Sequence, residues 1–159
     1  MVTNQSLRVY LATRKEQERS QIEDTLVLDG FDVSSFGKAG ELWEAFQQKP
    51  ARLIITDRKF GDDFTGLNLA TQVRKHCLLP YVYIVVLSAM GRLEEIKEAL
   101  AVSVDDYLVR PYNRFQIRSR VLVGLRWLNY IDSLYEDKTS GPERSNTTRR
   151  TATKPQVHG

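Results

Sequence analysis

One carboxylate ends an apolar segment near the middle of the chain, and it is the residue best placed to do chemistry. Ile54, Ile55 and Thr56 lead into Asp57, in a run typical of a strand buried on both faces. In an open α/β sheet, ligands and reacting groups gather at the carboxyl ends of the strands. Asp57 is therefore predicted to lie at the centre of such a site. A carboxylate there can act as a nucleophile, hold a metal or cap the following loop.

The segments around Asp57 alternate between short apolar runs and amphipathic stretches of helix length. Strands are predicted at 7–12, 31–36, 53–56, 81–87 and 106–109, and helices at 16–28, 39–48, 67–76, 93–102 and 114–135. The last helix has Asn113 as its predicted N-cap. Strands and helices at this spacing are joined by right-handed crossovers, which produces a parallel sheet between two helical layers. The sequence therefore predicts a doubly wound α/β domain.

Charge is distributed unevenly along the 159 residues, whose formal net charge is +3. From Asp137 onward there are five Lys or Arg residues against two acids, so the preceding body is close to neutral. We expect one folded domain at 1–136, which includes an extended last helix, and a disordered basic tail at 137–159, because the tail has too few apolar residues to order itself. A neutral body gives no reason to expect a nucleic-acid-binding face.

No membrane segment or export signal is predicted. The first residues are polar and lead directly into a strand, and no apolar run reaches the 18 residues that a transmembrane helix needs. We therefore expect a cytoplasmic protein that does not contact a membrane.

Three motifs lie at the ends of the third, fourth and fifth predicted strands. They are Ile54–Asp57 with Gly66 and Leu67 downstream, Ile84–Ala89, and Asp105–Pro111. Together they resemble the receiver domain of two-component response regulators over residues 7–130. The resemblance implies a flavodoxin-like sheet of five parallel strands in the order 2-1-3-4-5. It also implies a part in phosphorelay signal transduction and no enzymatic activity.

The resemblance implies a role for each residue of the site. Asp57 corresponds to the phosphoacceptor, which needs cations around the transferring oxygens because these carry the charge of the transition state. Ser88 matches the hydroxyl that hydrogen-bonds the phosphoryl group, although capping of its own loop is an equal alternative. Tyr107 matches the aromatic residue whose inward or outward rotamer reports the signalling state of the domain. Arg110 takes the place of the family's lysine before proline.

The acidic pair that receivers carry after the first strand is missing. Thr13 and Arg14 occupy these positions. The positive charge of Arg14 disfavours a metal cation there. Mg²⁺ prefers several oxygen ligands in octahedral geometry. We therefore expect no bound cofactor. If Mg²⁺ binds at all, its ligands would be Asp57 and the backbone of Lys59, and the loop acids Asp62 and Asp63 are an alternative source of ligands.

Cationic side chains are predicted around Asp57 in place of the metal. Arg14, Lys59 and Arg110 are the candidates, and positive charge nearby favours the ionised carboxylate. Arginine can also form two hydrogen bonds with a carboxylate, so Arg110 is expected to pair with Asp57 permanently. The alternative for Arg14 and Lys59 is that both point into solvent.

The last predicted helix combines an apolar stripe with a basic side and ends in three aromatic residues, Trp127, Tyr130 and Tyr135. Exposed aromatics at the end of a helix favour a protein partner or a second copy of the chain. The resemblance implies that partners, a histidine kinase or a downstream effector, bind the face formed by the fourth helix, fifth strand and last helix.

The main hypothesis is an atypical, stand-alone receiver that regulates a partner with weak or no Mg²⁺-dependent phosphorylation. One alternative is a conventional aspartyl-phosphate switch, with Asp57 phosphorylated by a histidine kinase. Another is a flavodoxin-like nucleotide-binding protein. The turns between strands and helices lack a glycine-rich phosphate loop, since Gly61 and Gly66 stand alone, and this opposes the nucleotide-binding class.

Overall fold

A five-stranded parallel sheet with helices on both faces forms the domain in the computed structural model, which describes residues 1–139. The strands are β1 Arg8–Ala12, β2 Asp32–Phe36, β3 Leu53–Asp57, β4 Tyr83–Ser88 and β5 Asp106–Val109. The helices are α1 Glu16–Leu28, α2 Ala39–Gln48, α3 Gly66–His76, α4 Leu93–Ala101 and α5 Arg114–Thr139. The strand order is β2-β1-β3-β4-β5, so the predicted fold class and topology are confirmed.

The composition of each strand matches its place in the sheet. Every residue of β3 and β4 is buried, as expected for central strands covered by helices on both sides. β2 lies at an edge, where Asp32 is exposed and the rest is half-buried. Apolar runs therefore occupy the centre of the sheet, and the more polar strand occupies its margin.

Two hydrophobic clusters hold the helical layers against the sheet. On one face Ile54, Ile84 and Val86 pack with residues of α2 and α3, and on the other face Leu53 and Ile55 pack with residues of α1 and α5. Successive strand residues point to opposite faces, which is why neighbours in one strand belong to different clusters. The packed layers give the loops at the sheet ends a rigid base.

Gly66 marks a close approach between the start of α3 and the end of β3. Its N–H donates to the carbonyl oxygen of Arg58 at 2.9 Å. A Cβ atom at this position would overlap the carbonyl oxygen of Asp57, so only glycine fits. Thr65 caps α3 in a reciprocal arrangement with Asn68. The loop that follows Asp57 is thus held at both of its ends.

The last helix is longer than predicted. It begins after Asn113, whose side chain accepts from the N–H of Gln116 at 3.0 Å, and this confirms the predicted cap. It extends past Tyr135 to Thr139, the last residue that the structure describes, and no glycine or proline interrupts it over that length. Residues 137–139 therefore belong to α5, whereas the rest of the predicted disordered tail, residues 140–159, lies outside the described residues. Within residues 1–139, no helix is long and apolar enough to cross a membrane.

Candidate functional site

The carboxyl ends of four strands bring the predicted site residues together. In the sheet register Ala12 lies beside Thr56, Asp57 beside Leu87, and Ser88 beside Val109. The residues that follow β1 and β5 therefore reach the same place as the ends of β3 and β4. A cavity of about 350 Å³ opens there, lined by residues that include Arg14, Asp57, Lys59, Ser88 and Arg110.

Asp57 is nearly inaccessible, with 6% of its surface exposed. Its Oδ2 atom accepts a hydrogen bond from the backbone N–H of Arg14 at 2.8 Å. Its Oδ1 atom accepts from Nη2 of Arg110, with which it also forms an ion pair. Both carboxylate oxygens therefore have charge-stabilising partners from the chain itself.

Arg110 is shared between two carboxylates. Its Nε atom donates to Oε1 and Oε2 of Glu18 at 3.0 and 3.2 Å, while Nη2 binds Asp57. Burial by itself would lower the pKa of Arg110, but the hydrogen bonds and charges of Asp57 and Glu18 outweigh it and raise that pKa. The guanidinium is therefore held charged between the two acids.

Tyr112 completes this group. Its hydroxyl donates to Oε1 of Glu18. Burial, followed by the hydrogen bond and charge of Glu18, raises the pKa of the Tyr112 hydroxyl. The hydroxyl thus stays protonated and remains a donor. The sequence did not single out Glu18 or Tyr112. An acid in the first turn of a helix is ordinarily explained by its interaction with the helix dipole. The sequence therefore gave no reason to assign Glu18 the further role of binding Arg110.

Arg14, Lys59 and Thr13 are placed differently from the predicted cation cluster. The side chains of Arg14 and Lys59 are exposed, and neither makes an ion pair within residues 1–139. The expectation that both would surround Asp57 as fixed partners is wrong, because only the backbone of Arg14 binds it. Thr13 is fully buried, and its Oγ1 has no partner among the described residues.

Ser88 and Tyr107 both turn towards the loop after β4. The Ser88 hydroxyl donates to the carbonyl oxygen of Met90 at 3.0 Å and lies 3.3 Å from the Met90 nitrogen. This is the capping arrangement given above as the alternative for Ser88. The Tyr107 hydroxyl lies 3.4 Å from the Met90 carbonyl oxygen and 3.4 Å from a carboxylate oxygen of Glu95. Tyr107 therefore extends over α4.

Arg58 connects the site to α4, and the sequence did not predict this. The side chain is largely buried, and its Nη1 donates to the carbonyl oxygen of Glu95 at 2.9 Å. Its Nη2 donates to Oε2 of Glu98 at 2.5 Å. The residue directly after Asp57 thus anchors the helix that follows β4.

The donor set does not fit Mg²⁺. Asp57 is the only carboxylate at the end of β3, and both of its oxygens are already engaged. Asp62 and Asp63 are exposed on the loop before α3. Among residues 1–139, no group of three or more His, Cys, Asp or Glu side chains is arranged to hold a metal ion. Mg²⁺ requires oxygen ligands on several sides, which these residues do not supply.

A sequence model described as the response regulator receiver domain matches residues 9–122. The chain belongs to this family. The receiver domain is therefore a module of two-component signal transduction, as the three motifs predicted. The three motifs lie at the carboxyl ends of β3, β4 and β5, and Asp57 is the last residue of β3.

The similar curated proteins are named as transcriptional regulators. The receiver domain is 26% identical over 118 residues to the transcriptional regulatory protein GltR of Pseudomonas aeruginosa, covering 74% of this chain and 48% of that protein. It is 34% identical over 110 residues to the uncharacterized transcriptional regulatory protein YesN of Bacillus subtilis, covering 61% of this chain and 29% of that protein. The chain thus spans less than half the length of these two relatives.

Solved receiver structures share the fold. The chemotaxis response regulator CheY4 of Vibrio cholerae superposes with a TM-score of 0.69 at 21% identity, covering 74% of this chain and 98% of that one. A CheY-like receiver domain from Methanospirillum hungatei gives a TM-score of 0.72 at 19% identity, covering 78% of this chain and 97% of that one. At these identities, the likeness concerns the fold.

Proposed function

We propose that this receiver domain is a protein-interaction module that works with weak or no Mg²⁺-dependent phosphorylation and has no enzymatic activity of its own. The observation that carries the proposal is the pairing of Asp57. Both of its oxygens are engaged by Arg14 and Arg110, and Arg110 is held in addition by Glu18.

Phosphoryl transfer to Asp57 would require a different arrangement. A carboxylate oxygen must approach phosphorus in line, while cations neutralise the oxygens of the transferring group. Here the carboxylate that would attack is bound to a guanidinium that Glu18 holds in place. The positions after β1 that would supply metal ligands carry Thr13 and Arg14. The ion pair between Asp57 and Arg110 thus takes the place of the negative charge that reversible phosphorylation of Asp57 would add.

Phosphorylation in solution tests the proposal directly. The full chain is incubated with Mg²⁺ and acetyl phosphate and its intact mass is measured, with a conventional receiver in parallel to show that the donor is active. We expect no phosphoryl adduct on the natural chain. The matched variant Thr13→Asp/Arg14→Asp/Arg110→Lys, which restores the family's residues, is expected to gain the adduct. Stoichiometric modification of Asp57 in the natural chain would contradict the proposal.

We propose α4, β5 and α5 as the face that contacts the partner, which is a histidine kinase, a downstream effector or a second copy. Leu93 and Leu100 on α4 are each 60% exposed, and the large side chains of Trp127 and Tyr130 on α5 are about half exposed. Arg58 supports this assignment, because it links the residue after Asp57 to α4. A change at Asp57 is thus coupled to this face.

Sedimentation analysis separates the two kinds of partner. A concentration-dependent dimer that Trp127→Ser converts to a monomer would assign the face to a second copy. A monomer at every concentration would leave the face to a different protein. Lys75→Ala is a suitable control, since Lys75 is an exposed residue near the end of α3, outside this face.

A further inference from the structure

A second cavity lies at the amino ends of β4 and β5, at the opposite end of the sheet from Asp57. Tyr83 is the first residue of β4 and pairs in register with Leu53, the first residue of β3, whereas Asp57 is the last residue of β3. The cavity has a volume of about 560 Å³, which is in the range of small-molecule sites. We call it the aromatic pocket, because four aromatic side chains line it: Tyr81, Tyr83, Trp127 and Tyr130.

The aromatic rings of this pocket combine a fixed base with accessible faces. Tyr83 is only 6% exposed, and a Cβ atom at Gly124 of α5 would lie 2.7 Å from its Cδ1, so the α5 backbone packs directly on this ring. The rings of Trp127 and Tyr130 stack with their centroids 5.6 Å apart, and both residues are about half exposed. Such rings offer flat apolar faces to a planar molecule.

The one carboxylate of the pocket, Asp105, is already neutralised by the protein. Its Oδ2 atom accepts from Nη2 of Arg74 at 2.9 Å and from the N–H of Ile84 at 2.7 Å, and its Oδ1 atom accepts from the Tyr81 hydroxyl. The Arg74 guanidinium also lies 4.7 Å from the centroid of the Tyr81 ring. A carboxylate and an open ring face are the features that attract cationic ligands, and here Arg74 occupies both.

Two hydrogen-bond donors of the pocket remain uncommitted. Arg126 is exposed and has no ion pair within residues 1–139. The Tyr83 hydroxyl makes no hydrogen bond in the same part of the chain. Burial, followed by the charges of Asp106 and Asp105, raises the pKa of Tyr83 to about 12, so this hydroxyl is a donor at neutral pH. The uncompensated charge of the pocket is thus positive, and an anionic group complements it.

We propose that the aromatic pocket binds a small planar aromatic carboxylate. The rings of the ligand stack on Trp127 and Tyr130, and its carboxylate accepts hydrogen bonds from Arg126 and Tyr83. Arginine suits this contact because its planar fork of donors matches a carboxylate. Ring faces and an unpaired guanidinium in one cavity are what such a ligand requires.

This inference goes beyond the proposed function and does not depend on the state of Asp57. Trp127 and Tyr130 also belong to the face proposed for the partner, so a bound ligand competes with the partner for the same rings. The aromatic carboxylate therefore acts as a soluble signal that the receiver domain senses away from Asp57.

Calorimetric titration of the full chain with three naphthalene probes of different charge tests the inference. The probes are 2-naphthoate, its neutral carboxamide and the 2-naphthylmethylammonium cation. Naphthoate is expected to saturate with a Kd below about 1 mM and to bind at least about fivefold more tightly than the carboxamide. The cation is expected to bind most weakly, because Arg126 repels it.

Variants separate the contribution of charge from that of stacking. Arg126→Ala is expected to weaken naphthoate about five- to tenfold and to leave the carboxamide within about twofold, since only the charge-assisted contact is lost. Trp127→Ala is expected to weaken all three probes by about two- to tenfold. Arg114→Ala is the matched control, because Arg114 is an exposed arginine at the start of the same helix, about 18 Å from Arg126 at 1.5 Å per residue.

NMR of the two tryptophan indole N–H groups locates the binding site. Trp127 lines the pocket, whereas Trp43 packs with the hydrophobic cluster on the other face of the sheet. Naphthoate is expected to shift the Trp127 signal with the calorimetric Kd and to leave the Trp43 signal in place. Parallel shifts of both signals would overturn the inference, because the probe would then bind apolar surface without selectivity.

The remaining outcomes are equally decisive. An absence of saturation, equal affinity for the three probes, or tightest binding of the cation overturns the proposed ligand class. A Trp127 signal that shifts with chain concentration but not with naphthoate assigns the pocket to a second copy of the chain and also overturns the inference.

Failure of this inference can be told from failure of the proposed function. Asp57→Asn is expected to bind naphthoate as the natural chain does. If Asp57 becomes phosphorylated with Mg²⁺ and acetyl phosphate while naphthoate still binds, only the proposed absence of phosphorylation is wrong. If Asp57 stays unmodified and naphthoate does not bind, only the ligand site is wrong.

Discussion

Replacing Arg110 by methionine removes the cation from between Asp57 and Glu18 while keeping most of the side-chain volume. The side chains of Arg110, Asp57 and Glu18 are 25%, 8% and 18% exposed, so the group is neither fully buried nor on the surface. Leaving a fully buried charge without its partner costs about 3–5 kcal/mol, whereas exposed pairs are worth about 0–1 kcal/mol. We expect Arg110→Met to lower the free energy of unfolding by about 2–3 kcal/mol.

Urea and thermal unfolding at neutral pH measure this loss. For a chain of this size, 1 kcal/mol corresponds to about 2–4 °C in Tm, so a decrease of roughly 4–12 °C is expected. Arg118→Met is the matched control, because Arg118 pairs with Asp29 at 2.7 Å but is 43% exposed. That control is expected to cost less than about 1 kcal/mol.

A double-mutant cycle isolates the pair itself. Asp57→Asn keeps an oxygen that can accept from the Arg14 N–H but removes the charge that Arg110 neutralises. We expect a coupling energy of about 1–3 kcal/mol between Arg110→Met and Asp57→Asn. If the two effects add within about 0.5 kcal/mol, Asp57 and Arg110 act independently and the ion pair does not hold the site together.

Three further measurements test other parts of the structure. Gly66→Ala is expected to lower the free energy of unfolding by about 3 kcal/mol, because the new methyl group overlaps the Asp57 carbonyl oxygen; an unchanged urea midpoint would contradict the close approach. Burial, and then the charges of Asp106 and Asp105, raise the pKa of Tyr83 from 10.0 to about 12. The folded state thus keeps a proton that the unfolded state releases, so stability declines as pH rises through that interval. Tyr83→Phe is expected to leave the free energy of unfolding at pH 7 nearly unchanged and to make its decline above pH 10 shallower. Free energies of unfolding measured at several alkaline pH values check this expectation. A decline as steep as that of the natural chain would refute it. Glu18→Gln is expected to weaken the hold on Arg110 and lower the free energy of unfolding by about 1–2 kcal/mol, which urea unfolding measures; no loss would mean that Glu18 does not position Arg110.

Local pattern was sufficient for most of the fold. The helix at 16–28 and the strand at 106–109 were predicted with the bounds that the structure has. Apolar periodicity and turn residues specify such elements, because each depends on neighbours within a few residues. The prediction that α5 stops near Tyr135 was too short, since a run without glycine or proline offers no local signal for where a helix stops.

The sequence by itself determined that a strand ends in Asp57, that Thr13 and Arg14 follow the first strand, and that Arg110 reaches the same edge of the sheet. Only the tertiary structure decided how those charges pair. Glu18 and Arg110 are 92 residues apart in the chain, and nothing local to either indicates that they meet. Long cationic side chains can point in many directions, and packing of α1 against the sheet and α5 places Glu18 beside Arg110. The structure thereby commits Arg110 to Asp57 and leaves Arg14 and Lys59 exposed at the cavity.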